Sequence, residues 1–536
     1  MFCQPRNTLH CLVRIMLLKV SVLIATAACT IQTPLTEANW PTTTNTLEGL
    51  DIKQVRNVLI VGFTQIEAKA LERQEMSQLV LAGASGITSL DSNQYTELSE
   101  GRLRTWYKGT MVLDLPQPSN QDVDNWVDAL LGIIVSGRTV SPILRKIDTE
   151  YLYETIFDSV LTEFDLYSRY ADRREARRNR EARNGFGGIG IRYKRTPKGL
   201  TINSILQDSP AARTGILLGD VVVAINGKSV SERSFLSIRE ALRGPVSTVV
   251  SLSISRGDPP KNVIIAITRD FIVEKTVDLE INDDIAVIRV HGFNQKTAEN
   301  VAEAIRQAVS VNKRQLPGII LDLRGTPGGL LDQAIAVSDL FMKQGRIVAT
   351  RGRHPDSMQS YSATEGDITN GALIAVIVDG RSASASEIVA AAIQDTGRGL
   401  VVGTTSFGKG TVQTVVRLPN DAEITLTWSR FYAPAGYAIQ GLGILPIACT
   451  SSTKSNVQGI LALLSESASQ ITRQFTSWYN VDTQETKERA QLRSFCPAKV
   501  RLDGSLEREV ARVLISDPLL YDSAIELTSE SLALTQ

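Results

Sequence analysis

The chain has 536 residues, of which 43% are apolar and 21% are charged, and its 57 basic residues balance 57 acidic ones. A chain of this length is too long to fold around a single hydrophobic core, and we predict about three or four domains. Zero net charge argues against nucleic acid as a partner and against a polybasic membrane protein. One Arg-dense stretch, residues 172–183, is interpreted as a solvated helix face.

The N-terminus has the pattern of an export signal. Three basic residues precede an apolar run at residues 20–28, which is far shorter than the roughly 20 residues of a spanning helix. Residues 1–28 are therefore predicted to be a signal peptide that directs the protein to the periplasm, with a buried helix as the alternative. The Thr-Ala-Ala-Cys sequence at residues 26–29 resembles a bacterial lipobox, although Thr replaces the usual aliphatic residue. Cys29 is thus a candidate for lipidation and membrane attachment.

The cysteines support an exported protein. Cleavage of the signal before Cys29 would leave three of the five cysteines, and a lipid on Cys29 would leave Cys449 and Cys496 as a pair. Because disulfides persist in exported proteins, we expect these two residues to form a bridge. Two unlinked buried thiols are the alternative.

The elements change in character along the chain. Residues 29–147 are predicted to be a mostly helical N-terminal region without recognisable chemistry, and residues 148–184 show the apolar spacing of helices. From residue 185 to residue 270, short strands alternate with Gly-marked turns. This stretch includes a predicted hairpin with Asn226-Gly227 at its turn and an amphipathic helix at residues 231–242.

Residues 185–270 resemble a PDZ domain. The marks of the resemblance are, in order, Gly188-Ile189-Gly190-Ile191, Ser209-Pro210-Ala211, Gly215, Gly219-Asp220 and Ile225-Asn226-Gly227. It implies that the N–H groups of the first, Gly-rich loop bind a terminal carboxylate. An extended peptide would then add as a strand between that loop's strand and the helix at residues 231–242. A structural β domain without a ligand is the alternative.

The rest of the chain has a different rhythm. In residues 271–449 apolar strands alternate with helices, which predicts a sheet covered by helices. Residues 450–536 are polar with helical spacing and are predicted to be a C-terminal helical extension. The predicted fold class is multidomain α/β, flanked by helical N- and C-terminal regions.

Two motifs in the α/β unit could carry chemistry. The serine cluster around Ser384 opens a predicted helix, where unpaired N–H groups and the helix dipole favour an oxyanion. A plain N-cap is the alternative interpretation, because Ser384 is followed three residues later by Glu387. Lys409, between two glycines, follows Ser384 by 25 residues. It is either a surface lysine or a base for the serine.

A serine nucleophile requires a base. The chain has only three histidines, and none is near the serine cluster in sequence, which disfavours a Ser-His-Asp triad without excluding one. A lysine can act instead when burial lowers its pKa enough to keep it neutral. Lys409 is therefore the candidate base.

Taken together, these motifs resemble the C-terminal processing peptidases, also called tail-specific proteases. The resemblance runs from about residue 149 to residue 446 and rests on FDLYSRY (164–170), FGGIGI (186–191), ILDLRGTPGGLL (320–331), SASASEIVAAAIQD (382–395), VVGTTSFGKGTVQ (401–413) and AIQGLGILP (438–446). It implies a serine endopeptidase whose catalytic domain has a crotonase/Clp-protease-like ββα fold.

The resemblance also implies the roles of individual residues. Ser384 would be the nucleophile, Lys409 the general base, and Gln413 would orient Lys409. The N–H of Ala385 and that of one of two glycines would form the oxyanion hole; the glycines are Gly328 and Gly329.

Other residues are expected to have structural roles or to depart from the family. Asp395 matches a family position but is interpreted as a surface residue at a helix C-terminus. Asp322 and Arg324 are expected to fix the glycine turn by hydrogen bonds. Ile447 stands where the family usually has Asp. No metal-ligand spacing and no nucleotide-binding loop occur, so neither a metal nor another cofactor is expected.

The sequence thus predicts an exported serine endopeptidase that binds exposed C-termini of proteins or peptides through its PDZ domain. An adaptor protein or a second copy of the chain are further candidate partners. The PDZ domain is expected to gate the dyad. Two alternatives are a non-catalytic PDZ lipoprotein scaffold and a crotonase-like acyl-CoA enzyme. The presence of both Ser384 and Lys409 disfavours the first, and the PDZ domain disfavours the second.

Overall fold

A computed structural model describes residues 46–47, 49–282, 285–312, 316–364, 366–452, 456–500 and 504–533. The predicted signal peptide and the lipidation of Cys29 lie outside these ranges. Within them, no helix has the length and apolarity needed to cross a bilayer.

The N-terminal region combines helices with a small sheet. Its elements are β1 (Thr46–Leu47), β2 (Leu50–Asp51), α1 (Ile52–Lys69), α2 (Met76–Leu90), β3 (Gln94–Ser99), β4 (Arg102–Tyr107), β5 (Thr110–Pro116), α3 (Val123–Val140) and α4 (Pro142–Lys146). The strands β3, β4 and β5 form an antiparallel meander. The mostly helical region that the sequence predicts therefore also contains a three-stranded sheet.

A connecting segment leads into the unit that resembles a PDZ domain. The segment contains α5 (Thr149–Leu161), β6 (Arg169–Ala171) and α6 (Arg173–Asn184). The unit itself contains β7 (Phe186–Gly188), β8 (Ile191–Thr196), β9 (Gly199–Ile205), α7 (Pro210–Arg213), β10 (Val221–Ile225), β11 (Lys228–Ser229), α8 (Phe235–Leu242), β12 (Val249–Arg256), β13 (Lys261–Thr268) and β14 (Asp270–Ile272).

The PDZ-like unit is an antiparallel sheet with a separate apolar core. Its strands follow the order β13-β12-β10-β9-β8, with β11 beside β10. The predicted hairpin is present, and its turn residues Asn226 and Gly227 have φ of 50° and 72°, as a two-residue turn of this hand requires. The helix α8 begins later than predicted, at Phe235, because Ser234 caps it by accepting the N–H of Ser237.

The α/β unit and the C-terminal extension follow. The α/β unit contains β15 (Val277–Asn282), β16 (Ile285–Val290), α9 (Thr297–Asn312), β17 (Gly318–Asp322), α10 (Leu331–Asp339), β18 (Arg346–Gly352), β19 (Gln359–Ser362), β20 (Leu373–Val378), α11 (Ala385–Asp395), β21 (Leu400–Gly403), β22 (Thr411–Arg417), β23 (Glu423–Tyr432) and β24 (Ala448–Cys449). The extension contains α12 (Val457–Glu466), α13 (Ala468–Asn480), α14 (Thr486–Arg493), α15 (Ser505–Ser516) and α16 (Pro518–Ala533).

The main sheet has the order β15-β16-β17-β20-β21-β24. All pairs from β16 to β24 are parallel, and only β15 is antiparallel, at the edge. Strands such as β17 and β20 are almost continuously apolar because helices cover both faces of a parallel sheet. The extension supplies part of this cover, since Val510 and Leu514 of α15 are fully buried in the same core.

A second sheet joins the connecting segment to the α/β unit. Its order is β19-β18-β23-β22. The strand β6 pairs antiparallel with residues 423–425 of β23, whereas β18 pairs with residues 429–432 of the same strand. The PDZ-like unit is therefore inserted between two parts of one fold. At the base of the insertion β7 pairs with β14, so that Phe186 lies opposite Ile272.

The sequence suggested that the Arg-dense helix α6 only presents a solvated face. In the structure, some of its arginines pair with buried or half-buried carboxylates. Arg180 and Arg183 donate hydrogen bonds to Glu423, at 2.8 and 2.9 Å, and the Glu423 side chain is only 3% exposed. Arg243, which directly follows α8, in turn contacts Glu181 of α6. These arginines attach the connecting segment to β23 and the PDZ-like unit to α6, because a buried carboxylate needs paired donors.

Candidate functional site

The predicted site residues lie on three loops at the carboxyl edge of the parallel sheet. Gly328 and Gly329 follow β17, Ser384 follows β20, and Lys409 follows β21. These three strands are neighbours in the sheet. Loops after adjacent parallel strands converge at one edge, which is where such sheets usually bind ligands.

Ser384 has a backbone conformation that an ordinary helix cap does not need. It precedes α11 with φ of 57° and ψ of −114°, whereas capping residues normally lie in the extended region. The Gly328 backbone packs directly against it, so that a Cβ at position 328 would lie 2.8 Å from Ser384 Cβ. Left-handed, non-glycine residues cost free energy and cluster at functional sites. The geometry favours the catalytic interpretation of Ser384 over the plain N-cap.

Glu387 connects the loop that carries Ser384 to the loop that carries Lys409. Its side chain is fully buried and accepts four hydrogen bonds. Oε2 accepts the main-chain N–H of Ser384 at 2.7 Å and that of Lys409 at 2.9 Å. Oε1 accepts the hydroxyl of Ser406 at 2.5 Å and the N–H of Gly408 at 2.6 Å. Burial raises the pKa of Glu387, and the four hydrogen bonds hold that increase back.

Three of the four donors to Glu387 are main-chain N–H groups, which cannot accept a hydrogen bond in return. Carboxyl oxygens, whose lone pairs can accept from several donors, suit this arrangement. The contact between the Ser384 N–H and Glu387 that the capping pattern predicts is thus formed, and the same carboxyl group also binds the loop that carries Lys409.

Lys409 is partly buried beside the motif at residues 164–170. Its Nζ lies 4.9 Å from the centre of the Tyr167 ring. Burial lowers the pKa of Lys409, the charge of Arg169 lowers it further, and Asp165 and Glu387 act in the opposite direction. A lowered pKa increases the neutral fraction of the amine, as a general base requires.

The structure brings Ser384 and Lys409 together through their backbones, while their side chains remain apart. Among the described residues, no hydrogen bond joins Ser384 Oγ to Lys409 Nζ. Catalytic hydrogen bonds are often long or absent without substrate and form in the complex. The contact that the predicted dyad requires is therefore not formed in this conformation.

Of the three predicted oxyanion-hole residues, Gly328 packs against Ser384 and Ala385, whereas Gly329 packs against Phe293. A Cβ at position 328 would lie 3.0 Å from Ala385 N, whereas one at position 329 would lie 2.1 Å from the carbonyl oxygen of Phe293. Gly328 thus faces Ser384 and Ala385, and Gly329 faces away toward Phe293. Of the two glycines, the main chain at Gly328 is the better placed to act with Ala385.

Gln413 does not orient Lys409 in this conformation. Its Nε2 donates to Thr411 Oγ1 at 2.8 Å and to Thr427 Oγ1 at 3.2 Å. Among the described residues, no hydrogen bond joins Gln413 to Lys409.

Asp395 is not the surface residue that the sequence suggested. It is 7% exposed at the end of α11, where its carboxylate accepts the N–H of Ala435 at 3.2 Å and the hydroxyl of Tyr479 at 3.4 Å. Burial raises the pKa of Asp395 to about 7, against these two hydrogen bonds. The helix α13 of the extension covers Asp395 through Tyr479, which lies 84 residues further along the chain.

Asp322 and Arg324 have the structural role expected of them. The Arg324 guanidinium forms two hydrogen bonds with the Asp322 carboxylate, at 2.9 and 2.6 Å, and a third with Glu507 of α15 at 3.2 Å. Although burial acts to raise it, the pairing with Arg324 and Arg289 lowers the pKa of Asp322. This buried network fixes the start of the glycine loop and anchors α15 to it.

The PDZ-like unit has a groove where the sequence predicts one. A cavity of about 800 Å³ lies between β8 and α8 and includes the Gly-rich loop. Its lining includes the four predicted residues Gly188, Ile189, Gly190 and Ile191. The cavity also reaches Asp278 and His291 of the α/β unit, so the groove opens toward that unit.

The structure also joins the predicted cysteine pair. Cys449, which ends β24, and Cys496 form a disulfide that links the α/β unit to the extension. Ile447 is buried just before this bridge. In the part of the chain that the structure describes, no three His, Cys, Asp or Glu side chains are grouped as a metal site.

Two residues that contact the loops of the candidate site were not predicted from the sequence. Glu387 had a local signal, the capping pattern, which was interpreted only as a helix start. Arg493 of the extension contacts the loop that carries Lys409 and had no signal, because its partners are more than 50 residues away.

Known proteins with similar sequences support the same assignment. The model of Peptidase family S41 matches residues 284–447, and a PDZ domain model matches residues 201–256. The carboxy-terminal-processing protease of Bartonella bacilliformis is 40% identical over 301 residues, which cover 56% of this chain and 69% of that protein. A probable CtpA-like serine protease of Staphylococcus aureus is 32% identical over 306 residues, which cover 56% of this chain and 60% of that protein.

A solved structure titled photosystem II D1 C-terminal processing protease shares 22% identity, with 70% of this chain and 92% of that chain covered. Its TM-score is 0.35. The 40% identity to the Bartonella protein and the two family models identify the family of this chain. The predicted resemblance is confirmed: this chain belongs to the carboxy-terminal-processing proteases and carries a PDZ domain within a family S41 peptidase fold.

Proposed function

We propose that the protein is an exported serine endopeptidase in which Ser384 and Lys409 form a catalytic dyad. The observation that carries the proposal is the shared carboxylate: Glu387 Oε2 accepts the main-chain N–H groups of both residues. Such an arrangement fixes a nucleophile and a base relative to one another, as the chemistry requires. The lowered pKa of Lys409 supports its role as the base.

The reaction would begin when Lys409 leaves the face of the Tyr167 ring and turns toward Ser384. Neutral Nζ removes the proton of Ser384 Oγ as Oγ attacks the peptide carbonyl carbon. The oxyanion is stabilised by the main-chain N–H groups of Ala385 and Gly328. Protonated Lys409 then donates its proton to the leaving amine as the C–N bond breaks. Water hydrolyses the acyl-enzyme in a second cycle of the same proton transfers.

Gln413 would assist this movement from β22. Its side-chain oxygen remains available while Nε2 binds Thr411 and Thr427. A primary amide held in this way can accept a hydrogen bond from the Lys409 ammonium.

The PDZ domain would select substrates by their C-termini. The terminal carboxylate is bound by N–H groups of the loop from Gly188 to Ile191, and the peptide adds as a strand to β8 opposite α8. The groove opens toward the α/β unit, which supports delivery of a bound tail to the dyad. A protein with an unfolded, apolar C-terminus is therefore the proposed substrate class.

Export remains part of the proposal. The signal pattern in residues 1–28 and the disulfide between Cys449 and Cys496 both fit an oxidising compartment such as the periplasm. Cys29 would carry a lipid that attaches the enzyme to a membrane.

The deciding experiment compares purified wild type with Ser384→Ala and Lys409→Ala on an unfolded protein that has an apolar C-terminus. Loss of cleavage in both folded variants supports the dyad. Equal cleavage by all three proteins contradicts it. Absence of cleavage by the wild type leaves either a latent enzyme that awaits an activator or a PDZ scaffold. Removal of residues 185–269 tests the PDZ role: preference for the tail should vanish, and basal cleavage should change.

A further inference from the structure

Arg493 reaches from the C-terminal extension to the loop that carries the proposed base. It is the last residue of α14. Nη2 donates to the main-chain oxygen of Ser406 at 3.1 Å, and Nη1 donates to that of Leu442 at 2.5 Å. One guanidinium therefore joins two segments that are separate along the chain: the one after β21 and the one before β24.

The two segments are glycine-rich where the guanidinium packs. A Cβ at position 408 would lie 3.2 Å from Arg493 Nη1, and one at position 443 would lie 3.0 Å from it. Both glycines also have positive φ, of 90° and 81°. Gly408 thus admits Arg493 as well as turning the chain immediately before Lys409.

The loop from Ser406 to Lys409 is held from two sides. Glu387 accepts hydrogen bonds from Ser406, Gly408 and Lys409 on one side, and Arg493 binds the Ser406 carbonyl on the other. The loop lies between a buried carboxylate and a guanidinium of opposite charge. Burial lowers the pKa of Arg493, and the charge of Glu387 opposes that effect.

The segment that follows Arg493 is attached to the same region at several points. The C-terminal strap, residues 493–499, receives a hydrogen bond from Thr405 Oγ1 at the Cys496 carbonyl, at 2.5 Å. The carbonyl of Lys499 accepts from Thr404 Oγ1 at 2.9 Å and from the N–H of Gly380 at 2.9 Å. The disulfide from Cys496 to Cys449 holds the strap covalently.

We infer that Arg493 is a positioning residue for the dyad: by fixing the carbonyls of Ser406 and Leu442, it holds the loop that presents Lys409 to Ser384. The inference rests on the proposed function. It assigns a task at the active site to the extension, which lies outside the residues that the Peptidase family S41 model matches.

The test uses full-length Arg493→Met and Arg493→Lys, with Arg398→Met as the matched control. Arg398 is also partly buried and also bridges carbonyls, those of Phe341 at 2.7 Å and Ala372 at 2.9 Å, but it lies just before β21, at the opposite edge of the sheet. For each protein, kcat, KM, the pH profile of kcat/KM and thermal unfolding are measured with a fluorogenic peptide that has an apolar C-terminus.

We expect Arg493→Met to lower kcat by about 100-fold, as a misplaced catalytic group does, with KM nearly unchanged. Loosening of the loop would expose Lys409 to water and move the acidic limb of the pH profile to higher pH. The groups that face Lys409, namely Asp165, Tyr167, Arg169 and Glu387, remain in every variant. Arg493→Lys should be intermediate, because an ammonium group lacks the fork that reaches both carbonyls. Arg398→Met should lose stability alone.

An Arg493→Met protein with wild-type kcat and an unmoved acidic limb overturns the inference, as does one that differs only in thermal stability. If Arg493→Met fails to fold, the acidic limb in the pH profile of Arg493→Lys decides instead. An unmoved limb in that variant overturns the inference. Failure of the proposed function is a separate result, since Ser384→Ala or Lys409→Ala, assayed in the same series, would then cleave like the wild type whatever Arg493 does.

Discussion

Ser384 and Lys409 donate their main-chain N–H groups to the same atom, Oε2 of Glu387, at 2.7 and 2.9 Å. A single buried oxygen therefore sets the distance between the backbones of the proposed nucleophile and the proposed base. The side chains are free to open and close the dyad, while the loops that carry them stay in register. Glu387 contacts no substrate atom in this scheme and acts as a positioning residue.

Replacement of Glu387 by Gln should disrupt both loops. Either orientation of the amide places its NH₂ against a main-chain N–H, of Gly408 on one side or of Ser384 and Lys409 on the other. We expect a stability loss of about 1–3 kcal/mol from the unmatched donors. We also expect a fall in kcat of about 100-fold from the displaced groups. Chemical denaturation and steady-state kinetics measure the two effects.

Glu299→Gln is the control for this variant. Glu299 lies on α9 with its side chain 57% exposed, so the same chemical change there should alter neither quantity. A Glu387→Gln enzyme with wild-type kcat would refute the positioning role.

Lys409 should impose an acidic limb on the pH profile of kcat/KM. Burial lowers its pKa, and the base must be neutral, so activity is absent below this lowered pKa and appears as the pH rises through it. Lys409→Arg retains the charge but cannot lose its proton, and should be inactive at every pH. An active Lys409→Arg enzyme would disprove the assignment.

Lys409→Met should be inactive yet melt at a higher temperature than the wild type. A lowered lysine pKa means that the folded state disfavours the cation, so the native lysine reduces stability at pH values below the normal lysine range. Differential scanning calorimetry measures the change. Lys296→Met, at an exposed lysine, should leave Tm nearly unchanged.

Asp395 should make stability depend on pH between its unfolded pKa and about 7. Its folded pKa is raised, so the folded state binds the proton more tightly, and stability falls as the pH rises through this window. Asp395→Asn retains the hydrogen-bonding shape and removes the cost of ionisation. We expect it to match the wild type near pH 4 and to exceed it by on the order of 4 kcal/mol at pH 8. Denaturant titrations at both pH values check this, and parallel curves would contradict it.

Removal of the disulfide should weaken both the fold and the site. The bridge spans 47 residues, for which the chain-entropy relation gives a loss of about 4 kcal/mol. Cys449→Ser, Cys496→Ser and the double variant remove the same bond and should therefore lose similar amounts. Each should also have a lower kcat, because the C-terminal strap is released from Thr404 and Thr405. Additive losses in the double variant would show that the cysteines contribute separately.

The sequence predicts well those features that depend on short stretches. The strands around Ser384 and Lys409, the hairpin at Asn226 and the disulfide partners all follow from local pattern or from simple counting. Glu387 was also visible within a local motif. Its second role was hidden because Gly408 and Lys409 reach it only after β21 has placed their loop beside α11.

Contacts made over long sequence separations were not predictable. Asp395 looks like an exposed helix end until Tyr479 covers it, and Arg493 looks like one more arginine in a polar helix. The pairing of Arg180 with Glu423 joins residues 243 positions apart. Composition and periodicity describe one element at a time, whereas these contacts depend on which elements the fold brings together.

The pairing of β7 with β14 brings the two ends of the PDZ domain together. Its first and last strands lie side by side, with Phe186 opposite Ile272, so the chain leaves the α/β unit and returns to it at almost the same point. A domain whose two ends lie this close can be replaced by another domain without a change in the path of the surrounding chain. Replacement of this domain is therefore expected to change which C-termini are bound while the α/β unit keeps its structure.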